Sequence, residues 1–162
     1  MSQPQETEKV VPLRKPDPRS VSSHQRIWGK AILSHGYAGI PSILIQAQRE
    51  LRLNAIKMNI VVQLLDYWRD PDRHPFPRKR ELAQRIGVTD KTIQNNIRAL
   101  ERAGLIQRQI RRSSYGDYTS NVYRLDGLVQ RLKELEPEFA KERQRRREAR
   151  GRVGQSGRPG SG

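Results

Sequence analysis

The chain has 162 residues, a formal net charge of +15 at pH 7 and no cysteine, and 34% of its residues are hydrophobic. This length suffices for one ordinary domain with terminal segments but not for two sizeable cores. The lack of cysteine excludes disulfide bonds and thiolate zinc ligands. No apolar run approaches the roughly 20 residues of a membrane-spanning helix, and the polar, acidic N-terminus is unlike a secretory signal. We therefore expect a soluble, cytoplasmic protein of bacterial type without membrane contact.

The positive charge is concentrated in two parts of the chain. Residues 78–125 contain 11 Lys or Arg against four Asp or Glu, and residues 140–162 contain eight against two. An excess of this kind indicates a polyanionic partner, and nucleic acid is the commonest one.

The first forty residues divide into two segments. Residues 1–22 are polar and rich in proline, so we expect a disordered arm. Residues 24–40 carry apolar side chains such as Ile27, Trp28 and Ile32, but three glycines are expected to interrupt any regular element there. We interpret this segment as a lead-in that lies against a domain spanning residues 23–139; a separate function is the alternative.

Two helices and a connection are predicted next. Pro41 can start a short helix that ends near Arg49. Asn54 can cap a longer helix over Ala55–Tyr67, in which apolar residues occupy one face. Residues 70–77 contain three prolines, which predicts an extended connection.

The centre of the sequence predicts two helices joined by a tight turn. Arg80–Ile86 is a short amphipathic helix ended by Gly87. Thr89 can cap the second helix, and Gly104, which tolerates positive φ, can close it. The second helix is predicted to bury one face, because its apolar residues recur at helical spacing: Val88, Ile93, Ile97 and Leu100. This order of elements is that of a helix-turn-helix.

Two strands and a last helix complete the predicted domain. Leu105–Arg112 and Asn121–Leu125 alternate apolar and polar residues, which predicts a β-hairpin, or wing. Asp126 can cap a helix from Gly127 to about Leu135. A seam along and beyond that helix could pack on the domain or join two copies in a homodimer: Leu128, Leu132, Leu135 and Phe139. Residues 140–162 form a basic tail, which we expect to be flexible.

Several of these residues carry a family resemblance. The chain resembles the winged-helix domains of bacterial regulators in four places: Leu82-Ala83, Gly87-Val88, the run Leu100–Ile106 and the closing strand Thr119–Leu125. They look closest to the subgroup in plasmid and phage replication-initiation and regulatory proteins. The resemblance covers roughly Gly36 to Phe139. It implies a mainly α fold with a small β-hairpin, a winged helix-turn-helix with extra terminal helices, and a DNA-binding role.

Three groups of side chains are candidates for contacts with double-stranded DNA. Arg, Asn and Gln can each form two hydrogen bonds with a base edge, so the outer face of the second helix is the candidate reader: Thr89, Lys91, Thr92, Gln94, Asn95 and Arg98. The candidate wing contacts are Arg108, Arg111, Arg112 and Tyr115. The tail would neutralise phosphates without reading sequence, through Arg143, Arg145, Arg146, Arg147 and Arg150. The simpler alternative in each case is an ordinary solvated charged surface.

Catalysis finds little support in the sequence. The histidines His24, His35 and His74 are scattered, and no metal, nucleotide or nucleophile motif is present, so we expect neither an enzyme nor a cofactor. The leading hypothesis is a nucleoid-associated, sequence-specific transcriptional regulator. One alternative is a non-enzymatic DNA-binding protein of plasmid or phage replication or plasmid stability. The other is a winged helix that binds protein, with a tail that binds nucleic acid nonspecifically.

Overall fold

The computed structural model describes residues 21–116 and 118–156. These residues form six helices and one antiparallel pair of strands. The elements are α1 (Ser23–Leu33), α2 (Ser42–Gln46), α3 (Ala55–Tyr67), α4 (Lys79–Ile86), α5 (Asp90–Arg102), β1 (Gln107–Arg112), β2 (Tyr118–Arg124) and α6 (Asp126–Ser156).

The chain divides into two compact units, one ending at Tyr37 and the other beginning at Ala38, whereas the sequence had suggested one domain from residue 23. In the first unit, Ser22 caps α1 by accepting a hydrogen bond from the N–H of Gln25 at 3.2 Å. One of the three glycines interrupts this helix, as the sequence predicted: Gly29 leaves the helical conformation, with φ 78°, and kinks α1. The residues on either side of Gly29 are helical. Most of the expected N-terminal arm, residues 1–20, lies outside the described residues.

The second unit begins with two helices that match their sequence signals. Asn54 caps α3 by accepting from the N–H of Lys57 at 2.9 Å, as predicted. Helix α2 is shorter than expected because it ends at Gln46 and the chain continues in turns. The side-chain amide of Gln48 donates to the carbonyl of Leu53 at 3.1 Å and holds these turns together.

One hydrophobic core joins all the helices of this unit and β2. The fully buried side chains include Leu44 of α2, Leu64 of α3, Leu82 of α4, Ile97 of α5 and Tyr123 of β2. Each such side chain contributes roughly 1.5–3 kcal/mol by leaving water. Because α2, α3, α4, β2 and α6 all supply buried side chains that pack with those of α5, the core fixes the orientation of α5.

A polar network on the surface fixes α4 against α3. The guanidinium of Arg85 lies 3.5 Å from Asp66 and 3.5 Å from Glu81, and it also stacks over the ring of Tyr67 at 4.8 Å. The Tyr67 hydroxyl donates a hydrogen bond to Glu81. Burial, together with this hydrogen bond, raises the pKa of Tyr67 to about 12. Its contribution to stability is therefore complete below the ordinary tyrosine pKa of about 10 and is lost as the pH rises through about 12.

The β-hairpin begins two residues later than the alternation predicted. Leu105 and Ile106 are both buried, but the backbone groups of Leu105 form hydrogen bonds outside the hairpin. The N–H of Leu105 donates to Leu100 at 3.1 Å, and its carbonyl accepts from Leu128 at 2.8 Å. These groups are therefore not available to the ladder, and β1 starts at Gln107. Strand β2 starts at Tyr118 rather than Asn121 and pairs with β1 up to Arg112, with an irregular register after Ile110.

The proline-rich connection before α4 runs beside the hairpin. A backbone hydrogen bond joins the N–H of Tyr123 in β2 to the carbonyl of Pro75 at 2.8 Å. Pro75 and Pro77 are buried. The connection thus lies against β2 without forming a regular strand, because proline has no N–H to donate.

Helix α6 is much longer than predicted. It was expected to end near Leu135, before a flexible tail, but it continues through Pro137 to Ser156. Pro137 removes one backbone hydrogen bond. Side-chain pairs on the following turns offset part of this loss, including Arg146 with Glu142 at 2.9 Å and Lys141 with Glu138 at 3.3 Å. Each such pair contributes a few tenths of a kcal/mol. Residues 157–162 of the expected tail lie outside the described residues.

The second unit is therefore a winged helix. It is mainly helical, with α3, α4 and α5 forming the three-helix arrangement and β1 and β2 forming the wing.

Candidate nucleic-acid interface

Helix α5 has well-defined ends, as its sequence predicted. The Thr89 hydroxyl accepts a hydrogen bond from the N–H of Thr92 at 3.1 Å. At the other end, the N–H of Gly104 donates to Glu101 at 2.9 Å while Leu105 donates to Leu100. Gly104 has φ 71°, and this pair of bonds is the Schellman ending that favours glycine.

Burial divides α5 into an inner and an outer face. Ile93, Ile97 and Leu100 are buried in the core. The opposite face consists of four exposed residues at intervals of four, three and four: Lys91, Asn95, Arg98 and Arg102. We call these four residues the outer face of α5. Their side chains make no hydrogen bond or ion pair within the described part of the chain, so their donors are available to a ligand.

The sequence had identified three of the four outer-face residues but had missed Arg102. It follows Arg98 by four residues, and continuing the spacing of Lys91, Asn95 and Arg98 by one step would have found it.

The remaining candidates on α5 lie beside the outer face rather than on it. Gln94 is half-buried. It lines a groove of about 380 Å³ together with Arg78 and Lys79 at the start of α4 and Ser120 of the wing. The hydroxyls of Thr89 and Thr92 lie 2.9 Å apart and share a hydrogen bond. Three of the six predicted reader residues therefore lie on the outer face of α5, and the other three lie beside it.

Arg108 connects the wing to α5. Its backbone N–H donates to one carboxylate oxygen of Glu101 at 3.3 Å, and its guanidinium donates to the other at 3.3 Å. Both side chains are only about a third or less exposed. Arg108 was predicted to contact DNA, but in the structure this residue binds Glu101 and holds β1 against α5.

A double-mutant cycle at this ion pair tests its structural role. Changing Glu101 and Arg108 to alanine, singly and together, is expected to give a coupling free energy of about 0.5–1.5 kcal/mol in urea unfolding, because the pair is partly desolvated. The matched control is the more exposed pair of Arg124 and Asp126, 2.8 Å apart, where we expect about 0.5 kcal/mol or less. Equal coupling at both sites would contradict the assignment.

The other wing candidates differ in their surroundings. Arg111 is exposed and places its guanidinium 5.1 Å from the centre of the Phe76 ring, a cation–π distance. Arg112 is exposed at the end of β1, and Tyr115 at the tip of the hairpin is 93% exposed. The hairpin thus presents cationic and aromatic groups at its outer end.

The seam of α6 packs on its own domain. Leu128 is buried in the core, and Leu132, Leu135 and Phe139 are half-buried against it. Packing on the domain, one of the two alternatives, is what the structure contains. Leu128 cannot also meet a second copy, because its side chain is already enclosed.

The described residues hold no group of three His, Asp or Glu side chains that could bind a metal ion. In the same ranges, none of the helices combines the length and apolar character of a membrane span.

Comparison with known proteins agrees with this geometry. The model of a family described as a helix-turn-helix domain matches residues 51–106, which include α3, α4 and α5. These residues form a helix-turn-helix domain. No curated protein matches the chain.

Three solved structures resemble the chain at low identity. A possible transcriptional regulator from Methanosarcina mazei Go1 is 15% identical, with 67% of this chain and 85% of that chain covered and a TM-score of 0.42. MepR of S. aureus, solved with DNA, is 17% identical, with coverages of 70% and 89% and a TM-score of 0.40. MarR is 19% identical, with coverages of 83% and 97% and a TM-score of 0.36.

Proposed function

We propose that this protein is a transcriptional regulator that binds double-stranded DNA at a specific sequence and excludes the polymerase from that site. The observation that carries the proposal is the outer face of α5, with three cations and one amide that have no partner in the described part of the chain. Asn can bind adenine N6 and N7 through two hydrogen bonds, and Arg can bind guanine O6 and N7 likewise. The major groove is wide enough to admit a helix.

Each group of residues has a role in this proposal. Asn95 and Arg98, in the middle of the outer face, contact bases. Lys91 and Arg102, one turn to either side, contact phosphates, which position the helix without reading sequence. Thr89 and Thr92 cap α5. Gln94, which lies beside the wing, reaches the edge of the DNA major groove.

The wing adds contacts outside the major groove. Arg111, Arg112 and Tyr115 are exposed at the outer end of the hairpin and are suited to the backbone or the minor groove. Arg108 is not among these wing contacts, because its guanidinium donates a hydrogen bond to the carboxylate of Glu101.

Selection of bound duplexes from a random pool at physiological salt tests the proposal. We expect a defined consensus, with the strongest base preferences at adjacent positions contacted by Asn95 and Arg98. A two-fold symmetric consensus with half-sites about one helical turn apart would indicate that two copies bind. Bound duplexes with no common sequence would overturn the proposal.

The genomic position of the bound site distinguishes regulation from the replication alternative. A site that overlaps the protein's own promoter favours regulation. Repeated sites in an AT-rich origin favour a binding role in plasmid or phage replication.

A further inference from the structure

The face of α6 that packs on the domain changes character halfway along the helix. Its first half places Leu128, Leu132, Leu135 and Phe139 against the core. With 3.6 residues per turn, the same stripe continues through Arg143, Arg146 and Arg150. The stripe is therefore apolar as far as Phe139 and cationic beyond it.

The cationic part of this stripe lines a cleft. The cleft lies between α2 and α6 and has a volume of about 790 Å³. On one side it is bounded by Ser42, Ile43 and Gln46 of α2. On the other it is bounded by four arginines of α6: Arg143, Arg146, Arg147 and Arg150.

The positive charge of the cleft is only partly neutralised. Glu136 and Glu142 also line it, and Glu142 pairs with Arg146 at 2.9 Å. Arg143, Arg147 and Arg150 form no ion pair within the described part of the chain. Three guanidinium groups on successive turns therefore face the cleft without a carboxylate partner.

The stripe itself indicates what kind of partner can occupy the cleft. A second copy packed along it would bring Arg143, Arg146 and Arg150 against their own equivalents, and like charges at such positions repel. A small anion would need a closed site, whereas these arginines are exposed. A row of cations repeating along a helix of 5.4 Å pitch suits an extended chain of charge, and duplex DNA carries one phosphate per 3.4 Å of each strand.

We propose that the cleft between α2 and α6 is a second, sequence-independent binding site for the phosphate backbone of duplex DNA. This site would bind DNA independently of the outer face of α5. The inference rests on the proposed function, because it takes DNA as the ligand. It also divides the arginines that the sequence had grouped as one basic tail. Arg143, Arg146, Arg147 and Arg150 face the cleft, while Arg145 faces away and lies 3.9 Å from Glu142.

The opposite face of α6 supplies a matched control. Lys141, Arg145 and Arg152 lie about half a turn away from the cleft stripe and are also exposed. Replacing either set of three by glutamine removes the same charge from the same segment and substitutes a good helix former. The cleft variant is R143Q/R147Q/R150Q, and the control variant is K141Q/R145Q/R152Q.

The experiment measures affinity of the full chain for a duplex of random sequence at several potassium chloride concentrations. Each lost phosphate contact is expected to lower the slope of log affinity against log salt by about 0.9, so by up to about 2.7 in the cleft variant. The control variant should keep nearly the wild-type slope. Circular dichroism checks that both variants keep the helix.

Two results would overturn the proposal. Equal losses in both variants would mean that net charge acts without a defined site. Unchanged slopes in both would mean that α6 does not contact DNA. The cleft variant should still bind the selected duplex more tightly than the random one. Failure of the proposed sequence recognition would therefore change the ratio of these two affinities, whereas failure of the cleft proposal would show in the salt slopes.

Discussion

Replacing Asn95 and Arg98 together by alanine is expected to lower the preference for the selected duplex over a random duplex by about 30-fold or more. Each bidentate contact with a base contributes on the order of 1–3 kcal/mol of discrimination, and about 1.4 kcal/mol corresponds to a factor of ten. Both side chains are exposed, so the fold should not change. Competition binding with the selected and random duplexes measures the ratio.

The control for this variant removes the same chemical groups from another helix. Gln130 and Arg131 of α6 are exposed and bind Glu134 on their own helix. Their replacement by alanine should leave the preference unchanged. If the Asn95 and Arg98 variant also kept its preference, α5 would not be the reader, and the view of this winged helix as a protein-binding module would gain support.

The second large effect is expected at Gly127, in the first turn of α6. A Cβ atom at this position would lie 1.9 Å from the carbonyl oxygen of Gly104 and 3.0 Å from its carbon. Both are backbone atoms at the end of α5 and cannot move aside as a flexible side chain can. The change Gly127→Ala should therefore lower the free energy of unfolding by about 1–3 kcal/mol or more, as overpacking does.

Gly151 provides the comparison for this substitution. It lies in the same helix, and a Cβ atom there would meet nothing within 4 Å. Since alanine exceeds glycine in helix propensity by up to about 1 kcal/mol, Gly151→Ala should be neutral or stabilising. Urea unfolding of both variants provides the measurement. A Gly127→Ala protein as stable as the wild type would show that α6 and the end of α5 can separate without cost.

Much of the fold could be predicted because local signals agree with the tertiary structure. The Asn54 cap and the apolar face of the next helix predicted α3 with the same bounds that the structure has. Thr89 and Gly104 marked the ends of α5, and the spacing of Ile93, Ile97 and Leu100 predicted which face is buried. In each case one residue type at one position has a strong conformational or burial preference.

The errors occur where distant parts of the chain decide the outcome. The late start of β1 depends on the hydrogen bond from Leu128 to Leu105, and the loss of Arg108 as a free wing contact depends on Glu101. Neither pairing has a local sequence signal. The predicted α6 ended before Pro137, because proline usually breaks a helix interior. In the structure α6 continues past Pro137, where the flanking residues are strong helix formers.

The contact between Pro75 and Tyr123 has a consequence for the behaviour of the protein in concentrated solution. An exposed strand edge can recruit a strand from another molecule and begin aggregation. Along β2, the neighbouring connection offers no N–H group at Pro75 or Pro77, and its carbonyl at Pro75 is already used. An incoming strand would therefore find few free backbone groups on this side of the hairpin, and we expect the prolines to oppose aggregation through this edge.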